Sequence, residues 1–121
     1  MAVTNVSLLG LFCVQHIKEQ MTGLGWHVQL DTFADNTPYG RKTFTNIIAI
    51  QNPSSLRRLT LACHFDSKYF EEFEFIGATD SAVPCALLLD IARHLNDAFP
   101  SVRIVHSCIL FAVNVRVMLS I

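Results

Sequence analysis

The sequence predicts an α/β fold in which a partial mixed β-sheet is flanked by helices. Three observations support this class: an amphipathic helical pattern near the start of the chain, extended segments separated by turn residues after it, and a second helical pattern followed by a short apolar run. Hairpin-like strands that lead into a helix and a buried strand are typical of a mixed sheet with helices against its faces. The length of 121 residues suits one domain with a modest core.

The first predicted element is a helix. Apolar residues recur at steps of three and four, at Val14, Ile17, Met21 and Leu24. This spacing places them on one stripe of a helix, and Gly23 and Gly25 are expected to end it.

Two strands joined by a turn are predicted next. Apolar and polar residues alternate from Trp26 to Phe33, which predicts a strand with one polar face. Its apolar side consists of Trp26, Val28 and Leu30. The stretch Asp35–Gly40 combines Asp, Asn, Pro and Gly, which all favour turns, and a second strand is predicted over Thr43–Ile50.

A third strand, a helix and a fourth strand complete the prediction. Arg58–His64 is an extended run that ends in the polar cluster His64–Ser67. After a loop of small residues, a helix is predicted over Ala82–Asn96 and a buried strand over Ile104–Val117. The helix carries an apolar stripe that is expected to lie on the sheet: Val83, Leu87, Leu88, Ile91 and Leu95.

Charge and composition exclude several functional classes. The formal net charge is -1 and no basic cluster exceeds two residues, so no nucleic acid partner is expected. Polar and charged residues interrupt the apolar run Ile104–Ile121, so no membrane span is predicted there. The apolar stretch Val6–Val14 has no preceding Lys or Arg and no clear cleavage pattern after it, so no clear signal peptide is expected.

Candidate chemical groups follow the third strand. His64 and Asp66 are two residues apart at a strand end, so an extended backbone directs both side chains to the same face. They could share a site or form a hydrogen-bonded surface pair, and the latter is the commoner arrangement. Asp80 has two interpretations as well: a cap of the following helix or a carboxylate ligand for a metal ion. The local sequence alone favours the cap.

Two longer segments resemble one enzyme family. Leu61–Phe70 and Gly77–Ala86 are similar to the two most characteristic segments of the animal glutaminyl-peptide cyclotransferases, also called glutaminyl cyclases. Shorter upstream matches lie at Asp31–Phe33, Thr37–Gly40 and Phe44–Ile48. The resemblance covers roughly residues 14–95 in register, and it is far more specific than a single His-x-Asp motif.

The resemblance implies a fold, an activity and a cofactor. The family has the fold of zinc-dependent exopeptidases, so the sheet here would be an incomplete form of it. It converts the N-terminal glutamine of peptides to pyroglutamate with release of ammonia, which makes N-terminal glutaminyl peptides the implied substrates and Zn²⁺ the implied cofactor. Asp80 matches the family's zinc-binding aspartate. His64 and Asp66 match a motif of the related two-zinc aminopeptidases; because the cyclases use one zinc, the pair is expected to support the ligand without binding metal.

The same resemblance implies a disulfide and a compartment. Cys63 and Cys85 match the two cysteines that are joined in secreted members of the family. Disulfides persist in oxidising environments, so the implied localisation is the secretory pathway or the extracellular space.

The implied zinc site is incomplete in this chain. The family's acidic pair, a glutamate base followed by a zinc-binding glutamate, lies at the end of the strand after the helix, where this sequence reads Ala112–Arg116 without a carboxylate. The third ligand, a histidine, would lie beyond Ile121. A catalytic zinc usually needs three protein ligands. The chain alone is therefore expected to lack the base, not to retain zinc and to be inactive.

The predicted organisation has three parts, and two alternatives stay open. Residues 1–13 lie outside the family similarity, 14–96 form a partial glutaminyl-cyclase-like domain, and 97–121 form a divergent apolar tail. The first alternative is a fragment of a related zinc aminopeptidase. The second is a non-catalytic truncated product that associates with another chain, a second copy of itself included, through its exposed sheet edge and apolar tail, or that misfolds and is degraded. Residues are 51% apolar and only 16% charged, as expected for a chain that lacks a partner or a segment.

Overall fold

The computed structural model describes residues 8–67, 70, 72–73, 75–98 and 107–113, and these contain two helices and four strands. In chain order the elements are α1 (Leu8–Gly23), β1 (His27–Thr37), β2 (Gly40–Ile50), β3 (Arg58–His64), α2 (Val83–Ala98) and β4 (Ser107–Val113). A π-type turn, Ala78–Ala82, leads directly into α2. Neither helix has the length and hydropathy that a membrane span needs.

Strands β1 and β2 form a long hairpin. They pair antiparallel without interruption from His27 opposite Ile50 to Thr37 opposite Gly40. The predicted six-residue turn is therefore shortened to the two residues between Thr37 and Gly40. Asp35 stays in the ladder while its Oδ1 accepts a hydrogen bond from the Asn36 backbone N–H at 2.7 Å. Gly40 supplies the positive φ of +91° that the tight connection requires.

The sheet has the order β1-β2-β4-β3 and is mixed. Strand β4 is antiparallel to β2 and parallel to β3, to which the chain returns through the crossover helix α2. Because β3 and β4 are parallel, their carboxyl ends meet at one edge, where His64 lies opposite Val113. This is the predicted α/β class. The fourth strand was predicted over Ile104–Val117; its flanking residues lie outside the described part of the chain.

The core lies between the two helices and one face of the sheet. Its most buried members come from α1, the α1–β1 connection, β2 and α2: Met21, Trp26, Ala49 and Ala92. Around them pack Ile17, Leu24, Val28, Leu61, Leu88, Leu89 and Leu95. The register places Val28, Ala49 and Leu61 in one row across the sheet, so both helices cover the same face. Helix α1 ends at Gly23, as its apolar spacing predicts.

The face of helix α2 that is buried is not the one that the sequence predicts. Leu88 and Leu95 pack on the core, but Val83, Leu87 and Ile91 are 50%, 57% and 40% exposed. The prediction that all five lie on the sheet is wrong for these three. At 100° per residue the exposed three are centred about 140° around the helix from the buried Ala92. We call Val83, Leu87 and Ile91 the α2 stripe.

Candidate functional site

The three candidate residues meet at the carboxyl end of β3. His64 is the last residue of that strand, Asp66 lies two residues further on, and Asp80 lies in the π-type turn before α2. The turn crosses the end of the strand and brings Asp80, 16 residues away in sequence, into contact with His64. The sequence pattern predicted that His64 and Asp66 share a face, but it did not predict the contact with Asp80.

His64 lies between two acceptors. Its Nε2 is 2.8 Å from Asp80 Oδ1, and its Nδ1 is 2.9 Å from the Asp66 carbonyl oxygen and 3.4 Å from Asp66 Oδ1. A carbonyl and an ionised carboxylate can only accept hydrogen bonds, so both imidazole nitrogens must donate. Both hydrogen bonds exist together only when the ring is an imidazolium.

The surroundings favour that charged form. Partial burial of the ring lowers the pKa of His64, but the hydrogen bonds to Asp80 and to the Asp66 backbone, together with the charges of both carboxylates, outweigh burial. The net result is a pKa of His64 raised above its ordinary value of about 6.5. Because the imidazole is 30% exposed and Asp80 is 82% exposed, solvent screens this pair and its effect on stability is modest.

Asp80 has an exposed carboxylate, and one of its two oxygens, Oδ1, is hydrogen-bonded to His64. Its backbone is non-helical, with φ -129° and ψ 82°, and the Asp80–Ser81 peptide bond is cis. Helix α2 begins three residues later, at Val83, and the Asp80 side chain bonds His64. A carboxylate has about four lone-pair sites, so an exposed one with a single hydrogen bond to Oδ1 keeps acceptor capacity for a further partner.

A disulfide ties the two segments of the site together. Cys63, the neighbour of His64 in β3, is joined to Cys85 in the first turn of α2, with their Cα atoms 5.4 Å apart. This is the pair that the resemblance implies. Cys85 Sγ also lies 3.2 Å from the His64 carbonyl oxygen. The end of β3 and the start of α2 are thus fixed relative to each other.

Gly77 is a residue of the site that the sequence pattern did not single out. It is buried, has φ +59°, and begins the turn that carries Asp80. A Cβ at this position would lie 2.8 Å from the Asp80 carbonyl oxygen. The one feature of the sequence that could have indicated a role for Gly77 is its position in a stretch of small residues. Only the coordinates show which atoms a side chain there would contact.

The described residues do not on their own fit a zinc site. A catalytic zinc takes three protein ligands and keeps one open position. No group of three His, Cys, Asp or Glu side chains with metal-binding geometry occurs among the residues that the structure describes. Asp80 offers one oxygen donor, and its nearest candidate neighbour, His64, is already bonded to it.

The sequence around the site matches a known family. A sequence profile described as Peptidase family M28 matches residues 46–114, which is more than half of the chain. The chain belongs to peptidase family M28. The M28 match begins in β2 and includes β3, the Asp80 turn, α2 and β4, so it contains the whole candidate site.

Within family M28, the chain is similar to glutaminyl cyclases. A glutaminyl-peptide cyclotransferase from Gloydius blomhoffii is 54% identical over 88 residues, which cover 68% of this chain and 24% of that protein. The crystal structure of Macrostomum lignano glutaminyl cyclase matches with a TM-score of 0.79 and 36% identity, covering 89% of this chain and 32% of that one. These matches confirm the resemblance to glutaminyl cyclases and the incomplete fold.

A more distant structure shares the fold alone. A Zn-dependent exopeptidase from Parabacteroides distasonis matches with a TM-score of 0.77 at 19% identity, covering 88% of this chain and 39% of that chain. The zinc dependence in its description is a property of that protein, and the likeness to this chain concerns the fold. This M28 chain spans about a quarter of the length of its Gloydius blomhoffii relative and about a third of the Macrostomum lignano structure.

Proposed function

We propose that this chain forms the part of a glutaminyl-peptide cyclotransferase that supplies the aspartate ligand of the zinc ion. The whole enzyme would convert the N-terminal glutamine of peptides to pyroglutamate and release ammonia. The observation that carries the proposal is the contact of His64 Nε2 with Asp80 Oδ1 at 2.8 Å. It places an oriented, 82% exposed carboxylate at the carboxyl end of a strand, within a segment similar to known glutaminyl cyclases.

In this proposal each site residue has a separate task. Asp80 binds the metal through an oxygen. His64 holds the Asp80 carboxylate in one orientation, and Asp66 holds the imidazole through its carbonyl and carboxylate oxygens. Partners behind a metal ligand commonly change metal affinity or activity by about 10- to 100-fold. We expect His64→Ala to act on that scale and Asp80→Asn to have the larger effect.

We further propose that residues 1–121 alone neither retain zinc nor turn over substrate. The support is chemical: a stable catalytic zinc needs three protein ligands, and the strand-end sequence Ala112–Arg116 carries no carboxylate. The test is a calorimetric titration of the purified chain and its Asp80→Ala variant with zinc, with ammonia release from a glutaminyl peptide assayed in the same samples. We expect neither binding nor turnover. Saturable binding that depends on Asp80, with turnover, would contradict this part of the proposal.

The proposed compartment is the secretory pathway or the extracellular space. The Cys63–Cys85 disulfide supports it, because such bonds are stable mainly under oxidising conditions. Thiol labelling of the chain after expression in secreting cells measures this. Both Cys63 and Cys85 must be protected from the reagent before reduction and labelled after it. Protection of only one of the two cysteines would contradict the disulfide.

A chimera tests the enzymatic role. Residues 14–96 would replace the matching segment of the Gloydius blomhoffii relative, and ammonia release from a peptide with N-terminal glutamine would be measured. Asp80→Asn should abolish turnover. Asp90→Asn is the matched control, since Asp90 is also an exposed carboxylate beside a histidine, with Oδ2 3.5 Å from His94 Nδ1. An active Asp80→Asn chimera would contradict the ligand role, and cleavage of a peptide bond would favour an aminopeptidase.

A second candidate role, self-association of the isolated chain, is favoured by its exposed apolar surface. The α2 stripe is 40–57% exposed, and β3, at the edge of the described sheet, exposes Leu59 by 64%. Open edges and apolar patches both favour association. Sedimentation equilibrium should show dimers or larger species that Leu87→Glu reduces. Leu56→Glu, at a fully exposed loop residue, is the control. A monomeric parent chain would exclude this role.

A further inference from the structure

The two segments that build the site touch at Gly77. This glycine is buried, and its carbonyl oxygen accepts a hydrogen bond from the Ala82 backbone N–H at 3.1 Å, which closes the turn around Asp80. Its φ of +59° is in the left-handed region, which residues with a Cβ rarely adopt. The backbone conformation alone therefore favours glycine here.

The space around Gly77 imposes a second and stricter requirement. A Cβ at this position would lie 2.8 Å from the carbonyl oxygen of Asp80 and 3.1 Å from Cβ of Ser67. Asp80 belongs to the turn, whereas Ser67 belongs to the segment that follows β3 and contains Asp66. Neither contact is with the flexible end of a long side chain, so relief requires that the Asp80 carbonyl shifts within the turn and that the turn moves away from the Ser67 segment.

The shift of Asp80 that a Cβ at position 77 requires is large enough to affect its contact with His64. Ordinary van der Waals contact begins near 3.4 Å, so the Asp80 carbonyl would have to retreat by about 0.6 Å. Oδ1 of the same residue lies 2.8 Å from His64 Nε2, and a displacement of Asp80 by that amount away from the imidazole would lengthen this hydrogen bond beyond the usual 2.7–3.2 Å range. The missing side chain at position 77 and the imidazole–carboxylate contact thus both depend on where the turn holds Asp80.

We propose that Gly77 is a positioning residue for Asp80: the absence of a side chain sets the distance between the end of β3 and the turn, and so lets His64 reach the Asp80 carboxylate. The inference rests on the proposed function, in which Asp80 is the metal ligand. In this role Gly77 acts only through the placement of Asp80.

The structure provides a matched control glycine. Gly25 also has a positive φ, +78°, but no atom lies within 4 Å of a Cβ built there. Gly25→Ala therefore brings the same type of backbone cost without the close approach. Gly23→Ala, at the end of α1 with open space and no positive φ, favours the helix and is included as a stabilising background for both variants.

The experiment compares Gly77→Ala, Gly25→Ala and Asp80→Asn in the Gly23→Ala chain at one pH without metal. Long-range ¹H–¹⁵N correlation spectra of the imidazole rings report whether His64 Nε2 donates to Asp80. We expect Gly77→Ala to shift the Nε2 resonance toward its position in Asp80→Asn, and Gly25→Ala to leave it unchanged.

Two results would overturn the proposal. The first is a Gly77→Ala spectrum that retains the parent Nε2 resonance while Asp80→Asn moves it. The second is a Gly77→Ala chain that does not fold although Gly25→Ala does, because the glycine would then serve the fold and not the placement of Asp80. No zinc is present in this comparison. Failure of the proposed metal role would appear in the chimera instead, and the two outcomes are distinguishable.

Discussion

Removal of the Cys63–Cys85 disulfide should destabilise the chain by an amount that its position predicts. The bond joins residues 22 apart in sequence. Closing a loop of this size restricts the unfolded chain by about 3 kcal/mol in the chain-entropy treatment. Domains of this kind have total unfolding free energies of roughly 5–15 kcal/mol. The double variant Cys63→Ser/Cys85→Ser should thus lose a large part of its stability.

Serine is the suitable replacement because it separates the cross-link from local contacts. Cys85 is 8% exposed and its Sγ lies 3.2 Å from the His64 carbonyl oxygen, so the hydroxyl of Cys85→Ser has an acceptor within reach. No unpaired polar group is therefore buried there, and most of the measured change reports the lost covalent bond.

Urea denaturation followed by circular dichroism measures the difference. The double variant should unfold with a free energy about 3 kcal/mol lower and a melting temperature roughly 10 °C lower than the parent. Cys13→Ser, which changes the free cysteine of α1, is the control and should lie within about 0.5 kcal/mol of the parent. A double variant as stable as that control would refute the reasoning.

Three further predictions concern the pH response, the core and the hairpin. In the metal-free chain, NMR titration should place the pKa of His64 above its ordinary value, and Asp80→Asn should lower it. Because the pKa of His64 is raised in the folded state, the His64–Asp80 pair contributes fully to the free energy of unfolding at pH values below the unfolded-state pKa. This contribution is lost as the pH rises through the folded-state pKa. A free energy of unfolding that changes neither with pH in this range nor with Asp80→Asn would contradict this prediction. Met21→Ala, at 1% exposure, should cost about 2–5 kcal/mol in urea denaturation, whereas Leu56→Ala, at a fully exposed residue, should change stability by less than about 0.5 kcal/mol. Gly40→Ala should cost about 1–2 kcal/mol in the same assay because φ is +91° there, and an unchanged midpoint would count against the tight hairpin.

Sequence periodicity predicted most of the fold because the apolar residues of α1 and β1 recur at the spacing of one helix face and one strand face. Arg58–His64 is the third strand in both the prediction and the structure, and α1 ends at Gly23. The predicted hairpin turn was too long, because Asp35 and Asn36 favour turns locally but remain paired in the ladder. Propensity is a local preference, and cross-strand pairing outweighs it.

The face that α2 buries was harder to predict. Leucine occupies positions 87, 88 and 89, so the apolar surface is wide and periodicity alone does not fix its rotation. In the structure the Cys85 disulfide and the contacts of Leu88 and Leu95 direct one side to the core. The α2 stripe is left at the surface.

The candidate site was predictable only in part, because its geometry depends on segments far apart in sequence. The strand-end position of His64 and Asp66 followed from spacing, and Asp80 followed from the family resemblance. The contact between His64 and Asp80 depends on how the turn crosses β3. The steric role that we infer for Gly77 depends on the same crossing. No local pattern contains that information.

Zinc stoichiometry of the chimera tests the central claim most directly. The purified chimera, its Asp80→Asn variant and its Asp90→Asn variant would be dialysed against metal-free buffer and analysed by atomic absorption. We predict about one zinc per chain in the chimera and in Asp90→Asn, and far less in Asp80→Asn. Equal zinc content in the chimera and in Asp80→Asn would contradict the assignment of Asp80 as a zinc ligand.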